Sequence, residues 1–356
     1  MARFVLVFIL FSISLGAHAV TRVAFLSPGY ANEPYWENVD SFLIAAASDL
    51  DVQVEIVHCD RDEKKMLDLA DWLIQRPNPP DYVLAVNENG LGVELVKKFN
   101  AAKIPIMLVL NDLDQRQQQK LGVPRQRYPY WLGILVPDNL QAGQQLTSAL
   151  SGMLPDKKTV PLVAIAGDRS TPAGLNRQAG LLWATRTHHK LKLMALRYGF
   201  WQQARANRQM MQLLGLYPDL RVVWTADDNM AFGAIDALRQ AGLEPGKDVL
   251  VGTFASSAKA LRLRRSGEIS ALAGGAFMAP GLALALLVDY QNGFDFANDD
   301  GLVLHLPLYH LLIPGTPLFN MVASQDWSKV NFRAMSKVHT PYQGPHHFEL
   351  QLRATP

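Results

Sequence analysis

Residues 32–36 read Asn32-Glu33-Pro34-Tyr35-Trp36, which puts an amide, a carboxylate and two aromatic rings within one short run. Such a set can bind a cyclic polyol: flat rings cover its apolar C–H faces, while amides, carboxylates and guanidiniums bond its polar rim. The same ring pair would also anchor the start of a helix, and the run alone favours neither role. A second polar cluster, Thr225-Ala226-Asp227-Asp228-Asn229, stands before the apolar stretch Met230–Ala241, where carboxylates favour a helix N-terminus.

Other chemistries lack their residues. No Gly-x-Gly-x-x-Gly or phosphate-loop pattern follows a strand-like run, and there is no Gly-x-Ser-x-Gly elbow. His188-His189 and His346-His347 are adjacent pairs whose members point apart on a helix, so neither is expected to ligate a metal. Asn298-Asp299-Asp300-Gly301 lacks the alternating spacing of a calcium loop and reads as a solvated turn. The single cysteine, Cys59, has no partner for an intramolecular disulfide and reads as a buried, inert thiol beside a strand end. No cofactor is implied.

The elements that must position these residues follow from periodicity. Apolar runs of strand length occur at Val23–Leu26, Val52–Val57, Tyr82–Val86, Ile104–Leu110, Trp131–Val136, Leu162–Ala166, Leu191–Leu196, Val222–Trp224 and Val249–Gly252. Helical spacing separates most of them, for example at residues 39–50, 66–74 and 140–150. Near-continuous apolar strands alternating with helices predict parallel sheets covered on both faces. The 356 residues suffice for two domains, and ligands in such sheets bind beyond the carboxyl ends of the strands. The short Gln117–Gln119 run reads as a loop, and Pro314–Pro356, rich in proline, as a tail packed over the surface or partly flexible.

The compartment is written at the start of the chain. Arg3, the uncharged apolar run Phe4–Leu15 and Ala17-His18-Ala19 form a secretory signal peptide with Val20 as the expected mature N-terminus. The run is shorter than the roughly 20 residues that span a bilayer. A net charge of +2 with no basic cluster gives no reason to expect nucleic acid or an anionic membrane as partner.

Five stretches in order resemble the ribose-binding-like, type I periplasmic binding proteins: Asn32–Trp36; Pro137-Asp138-Asn139 with Ala142-Gly143; Ala166-Gly167-Asp168 with a helix opening at Asn176-Arg177-Gln178-Ala179-Gly180; Trp201; and Thr225–Ala234. The resemblance covers roughly residues 21–313. It implies an α/β fold of two Rossmann-like lobes with parallel central sheets joined by three crossover strands. Residues 20–137 with 276–305 would form lobe one, 138–275 with 306–330 lobe two, and 331–356 a C-terminal tail after the 1–19 signal peptide. By the same resemblance Arg177 would hold the ligand bidentately, Trp201 would cover one ring face, and Asp227 would make a polar contact while Asp228 caps the helix. Tyr35 and Trp36 would take the other face, with Asn32, Glu33 and Asn111 beside them. Asp138, Asn139 and Gly275 would lie at the hinge crossovers.

The sequence departs from the family at Phe254, where an aspartate is usual, and at Ala273-Gly274-Gly275, where a polar residue is usual. Near Asn111 and Asp112 the family's arginine is missing. These changes predict a more aromatic and less hydroxyl-seeking pocket, in which Tyr35, Trp36, Trp201 and Phe254 could also box a cationic or methylated ligand. The expected protein is a periplasmic monomer that closes on a small sugar-like molecule without turnover. It would serve an inner-membrane ABC permease or, alternatively, signal to the periplasmic domain of a sensor kinase or cyclase. DNA binding, known for repressors of this fold, is contradicted by the export signal and by the missing helix-turn-helix.

Overall fold

The computed structural model describes residues 20–155 and 158–353, so the expected signal peptide lies outside the described residues. From the N-terminus the chain alternates β1 (Arg22–Ser27), α1 (Pro34–Asp49), β2 (Gln53–His58), α2 (Glu63–Gln75), β3 (Tyr82–Val86), α3 (Gly92–Ala101), β4 (Ile106–Val109), α4 (Gln115–Leu121) and β5 (Trp131–Pro137). It continues α5 (Asn139–Gly152), β6 (Val160–Ala166), α6 (Pro172–Thr187), β7 (Leu191–Tyr198), α7 (Gln203–Leu216), β8 (Val222–Thr225), α8 (Asp228–Gln240), β9 (Leu250–Phe254), α9 (Ala258–Ser266) and β10 (Ala271–Gly274). The last elements are α10 (Ala279–Gln291), β11 (Val303–Leu306), β12 (His310–Leu311) and α11 (Pro317–Ser324).

These strands build two sheets, ordered β11-β5-β4-β3-β1-β2 and β12-β10-β9-β8-β6-β7. Every pairing is parallel except that of β12 with β10, where Gly274 faces His310. The first sheet is buried on both faces: Phe25 and Leu84 face one apolar cluster, Leu26 and Ala85 another with Met66 and Phe99. The chain passes between sheets three times: after Pro137, through Gly275, and between Leu306 and His310.

Local chemistry explains the helix starts. Asp138 accepts from Gln141 N at 2.9 Å to cap α5, and α6 opens on Pro172, whose missing N–H costs nothing at a first turn. Arg177 therefore sits in the second turn of α6, not at its opening as the sequence suggested. Helix α6 lies against α5 because both carry glycine at the crossing: a Cβ on Gly143 would stand 2.1 Å from the Arg177 carbonyl oxygen.

Two expectations are corrected. The glutamine run belongs to α4, which Asp114 and Gln117 fix with a reciprocal capping box. The C-terminal segment is no loose tail: Phe319, Trp327, Val330, Phe332 and Met335 are buried. Trp327 and Phe332 pack edge-to-face on Phe42 of α1 at 5.2 and 5.1 Å, so the segment from Trp327 onward completes the core of the first lobe. It also explains α10, apolar all round, which is enclosed by α1, the first sheet and this segment. A buried triad ties it down: His346 bonds Asp289 at 2.8 Å through Nε2 and Asp300 at 2.6 Å through Nδ1.

Candidate functional site

A cavity of about 830 Å³ opens between the carboxyl ends of the two sheets, the place where open α/β sheets bind ligands. Its walls come from the loops after the first-lobe strands, from those after the second-lobe strands, and from all three crossovers. Asn38 of α1 closes one flank, donating to the Ser256 carbonyl at 3.0 Å across the two lobes.

The second-lobe wall is built on Asp168. Its carboxylate accepts from Ser170 N and Thr171 N, each at 2.7 Å, and from Trp201 Nε1 at 2.7 Å. Burial alone would raise its pKa, but the bonds from Thr171, Trp201 and Ser170 outweigh it and hold it at about 2. The bonded indole lies over Gly167, where a Cβ would come within 2.1 Å of the ring. Phe200 and Trp201 adopt φ of 54° and 61°, a left-handed pair that turns the ring into the cleft.

Arg177 meets the crossovers. Its Nε donates to Asn139 Oδ1 and one terminal nitrogen to the Ala226 carbonyl, at 2.9 and 2.8 Å, while the other donates to the Tyr309 hydroxyl. Three of five donors are used, leaving one N–H on each terminal nitrogen for a bidentate ligand contact. The guanidinium carbon stands 5.1 Å from the Phe254 ring centroid, so the protein's own cation occupies one face of the expected aromatic box.

The helix cap is Asp227, not Asp228 as expected. Asp227 accepts from Met230 N at 2.9 Å; Asp228, in the first turn, accepts from Ser257 Oγ. Both still line the cavity. Burial, then the neighbouring Asp228, push Asp227 up to about 7.

On the first-lobe side, Arg61 bridges Glu33 and Glu88, the latter at 3.2 Å, and Asn111 Nδ2 reaches Glu88 at 3.4 Å. Consecutive left-handed residues, Asp60 and Arg61, aim this guanidinium inward. Trp36 is buried, 4% exposed, with its pyrrole edge sealed by Gly29, and it supports Tyr35 edge-to-face at 5.1 Å. Asn32 is exposed and does not line the cavity. Asp138 sits at the crossover as a cap but does not line the cavity, whereas Asn139 and Gly275 do.

Sequence reading brought Glu33, Tyr35, Trp36, Asn111, Asn139, Arg177, Trp201, Asp227, Phe254 and Gly275 to one cavity. It missed Arg61, Glu88, the role of Asp168, and Tyr309. The first two follow β2 and β3 directly, so the strand-end rule applied to every strand reaches them. Tyr309 falls between two short strands that no periodicity marks.

The family model for the periplasmic binding protein domain matches residues 23–293. The chain belongs to the periplasmic binding protein family. This periplasmic binding protein also resembles the crystal structure of a periplasmic sugar-binding protein from Pseudomonas fluorescens, at 32% identity and a TM-score of 0.80 over 92% of this chain and 98% of that one. It is 22% identical to the galactofuranose-binding protein of Escherichia coli over 50% of this chain and 53% of that protein. It is 22% identical to the ribose import binding protein of Bacillus subtilis over 69% and 73%. The binding protein thus spans about half the length of the first of these curated relatives.

Proposed function

We propose that this protein is a periplasmic solute receptor that closes on a sugar-like molecule and delivers it unchanged to an inner-membrane ABC permease. One observation carries the reading: Trp201, Tyr35 and Arg177, from opposite walls, line one cavity at the crossovers of a periplasmic binding protein fold. Opening and closing would be a hinge rotation about Asn139, Gly275 and Tyr309, with Trp201 and Tyr35 meeting the ring faces and Arg177 and Asp227 its rim. The related proteins named for import and for sugars favour delivery over the signalling alternative. Export by cleavage after Ala19 would give a mature chain beginning at Val20, which N-terminal sequencing of the periplasmic protein reads directly.

A thermal-shift and calorimetric screen of the mature protein against D-ribose, D-allose, D-galactose, L-arabinose and amino sugars such as D-glucosamine tests the reading. A ligand at about 100 times its dissociation constant adds roughly 2.7 kcal/mol to stability. Failure of every sugar and amino sugar to shift the transition, or binding that survives Trp201→Ala and Arg177→Ala, refutes it.

A further inference from the structure

We infer that the ligand carries an ammonium group, held between Glu88 of the first lobe and the Asp227–Asp228 pair of the second. The inference rests on the sugar-binding reading and narrows it to amine-bearing sugars or aminopolyols.

The cavity is charged in one sense. Seven carboxylates line it against two guanidiniums, with no lysine. Both guanidiniums are engaged by the protein: Arg61 by Glu33 and Glu88, and Arg177 by Asn139, the Ala226 carbonyl and Tyr309. Neither Arg61 nor Arg177 makes an ion pair with Asp227 or Asp228, although Arg177 partly offsets the burial of Asp227 and Lys259 that of Asp228. Among the described residues Asp227 Oδ2 accepts no side-chain or backbone hydrogen bond, since only Oδ1 takes the Met230 N–H.

Burying like charges together is unfavourable unless a cation comes with them. Glu88 stands above the usual carboxylate range, first through burial, which Arg61 partly offsets, and then through Glu33 and Asp168; Asp228 is raised mainly by burial. Glu88 and Asp168 belong to opposite lobes, so closure brings their negative charges toward each other. A neutral hydroxyl supplies a donor without cancelling that repulsion. An ammonium supplies three donors and a positive charge, so it would join the lobes where they otherwise repel.

Isothermal calorimetry on the mature protein tests this with matched probes: D-glucosamine, D-galactosamine and 3-amino-3-deoxy-D-ribose, each against its parent sugar, with the N-acetyl hexosamines as uncharged controls. At least one amine is expected to bind about tenfold or more tighter than its parent and, where tested, its N-acetyl form. That margin is expected to shrink several-fold when salt is raised from about 0.02 to 0.5 M, which needs no variant. Glu88→Gln and Asp227→Asn, each checked for an unchanged melting transition, are expected to reduce the preference to about threefold or less. Parents binding as well as amines would overturn the inference and leave the sugar reading standing. An amine preference indifferent to salt, or to both substitutions, would overturn it equally. Binding of neither set would remove the sugar reading itself.

Discussion

Tyr309 and Asn139, 170 positions apart, share one guanidinium: the tyrosine hydroxyl donates to Asn139 Oδ1 at 3.2 Å and accepts from Arg177, which also donates to that same Oδ1. The third crossover and the first are thereby joined through a residue of α6. A side chain from each of two hinge segments fixes the orientation of the arginine that faces the cavity.

Tyr309→Phe keeps the ring against Phe254 and removes the hydroxyl. One terminal nitrogen of a partly buried guanidinium is left short of an acceptor, at about 1–3 kcal/mol. We expect ligand affinity to fall about tenfold or more, measured by calorimetry on the ligand found in the screen, and the melting transition to fall by a few degrees. Unchanged affinity would show that Arg177 needs no such support.

Trp201 and Asp168 act as a unit. Trp201→Ala is expected to abolish detectable binding, whereas Trp201→Phe, which keeps a ring and loses the indole donor, weakens it. The Asp168 carboxylate has its folded pKa depressed to about 2, against about 3.9 unfolded. Its contribution to stability is present above pH 4 and is lost as pH falls toward 2. Melting temperatures of the wild type and Asp168→Asn between pH 2 and 6 would converge at the acid end; parallel curves would contradict the assignment.

Gly275 has φ of 136°, and a Cβ there would lie 2.0 Å from the Leu308 carbonyl oxygen, where the second and third crossovers run side by side. Gly275→Ala is expected to cost about 1–3 kcal/mol or more and to alter closure, seen as a changed radius of gyration with ligand. Gly152→Ala is the control: nothing lies within 4 Å of its Cβ position, and the change is expected to be neutral or stabilising by a few tenths of a kcal/mol.

The His346 triad predicts alkaline sensitivity. Burial lowers the imidazole pKa, but the hydrogen bonds it donates to Asp289 and Asp300 outweigh it and raise it above the usual value. The stabilisation is therefore complete below pH 6.5, near the unfolded pKa, and declines as pH rises through the raised value. His346→Ala leaves two carboxylates without their counter-charge and is expected to cost about 3 kcal/mol or more. A scan of melting temperature from pH 6 to 9 checks both: the wild type declines and the variant, lower throughout, is flatter.

The sequence by itself determined the alternation of strands and helices, the two-lobe class and most of one binding cavity, because each rests on short-range order. Apolar runs such as Tyr82–Val86 state their burial, and residues directly after them, Trp201 and Asp227 among them, must emerge at the sheet tips. Tertiary structure decided what depends on meetings between distant segments. Trp36 borders the cavity but is almost wholly buried beneath Tyr35, because Gly29 closes on its edge. Asp227 took the cap because the helix begins at Asp228, one residue earlier than a cap at Asp228 would place it, and two adjacent carboxylates do not say which of them caps. The C-terminal segment became core because Phe42 and α10 leave an apolar surface for Trp327 and Phe332 to cover. Tyr309 reaches Arg177 only because three crossings bring their segments together, and no local pattern carries that distance.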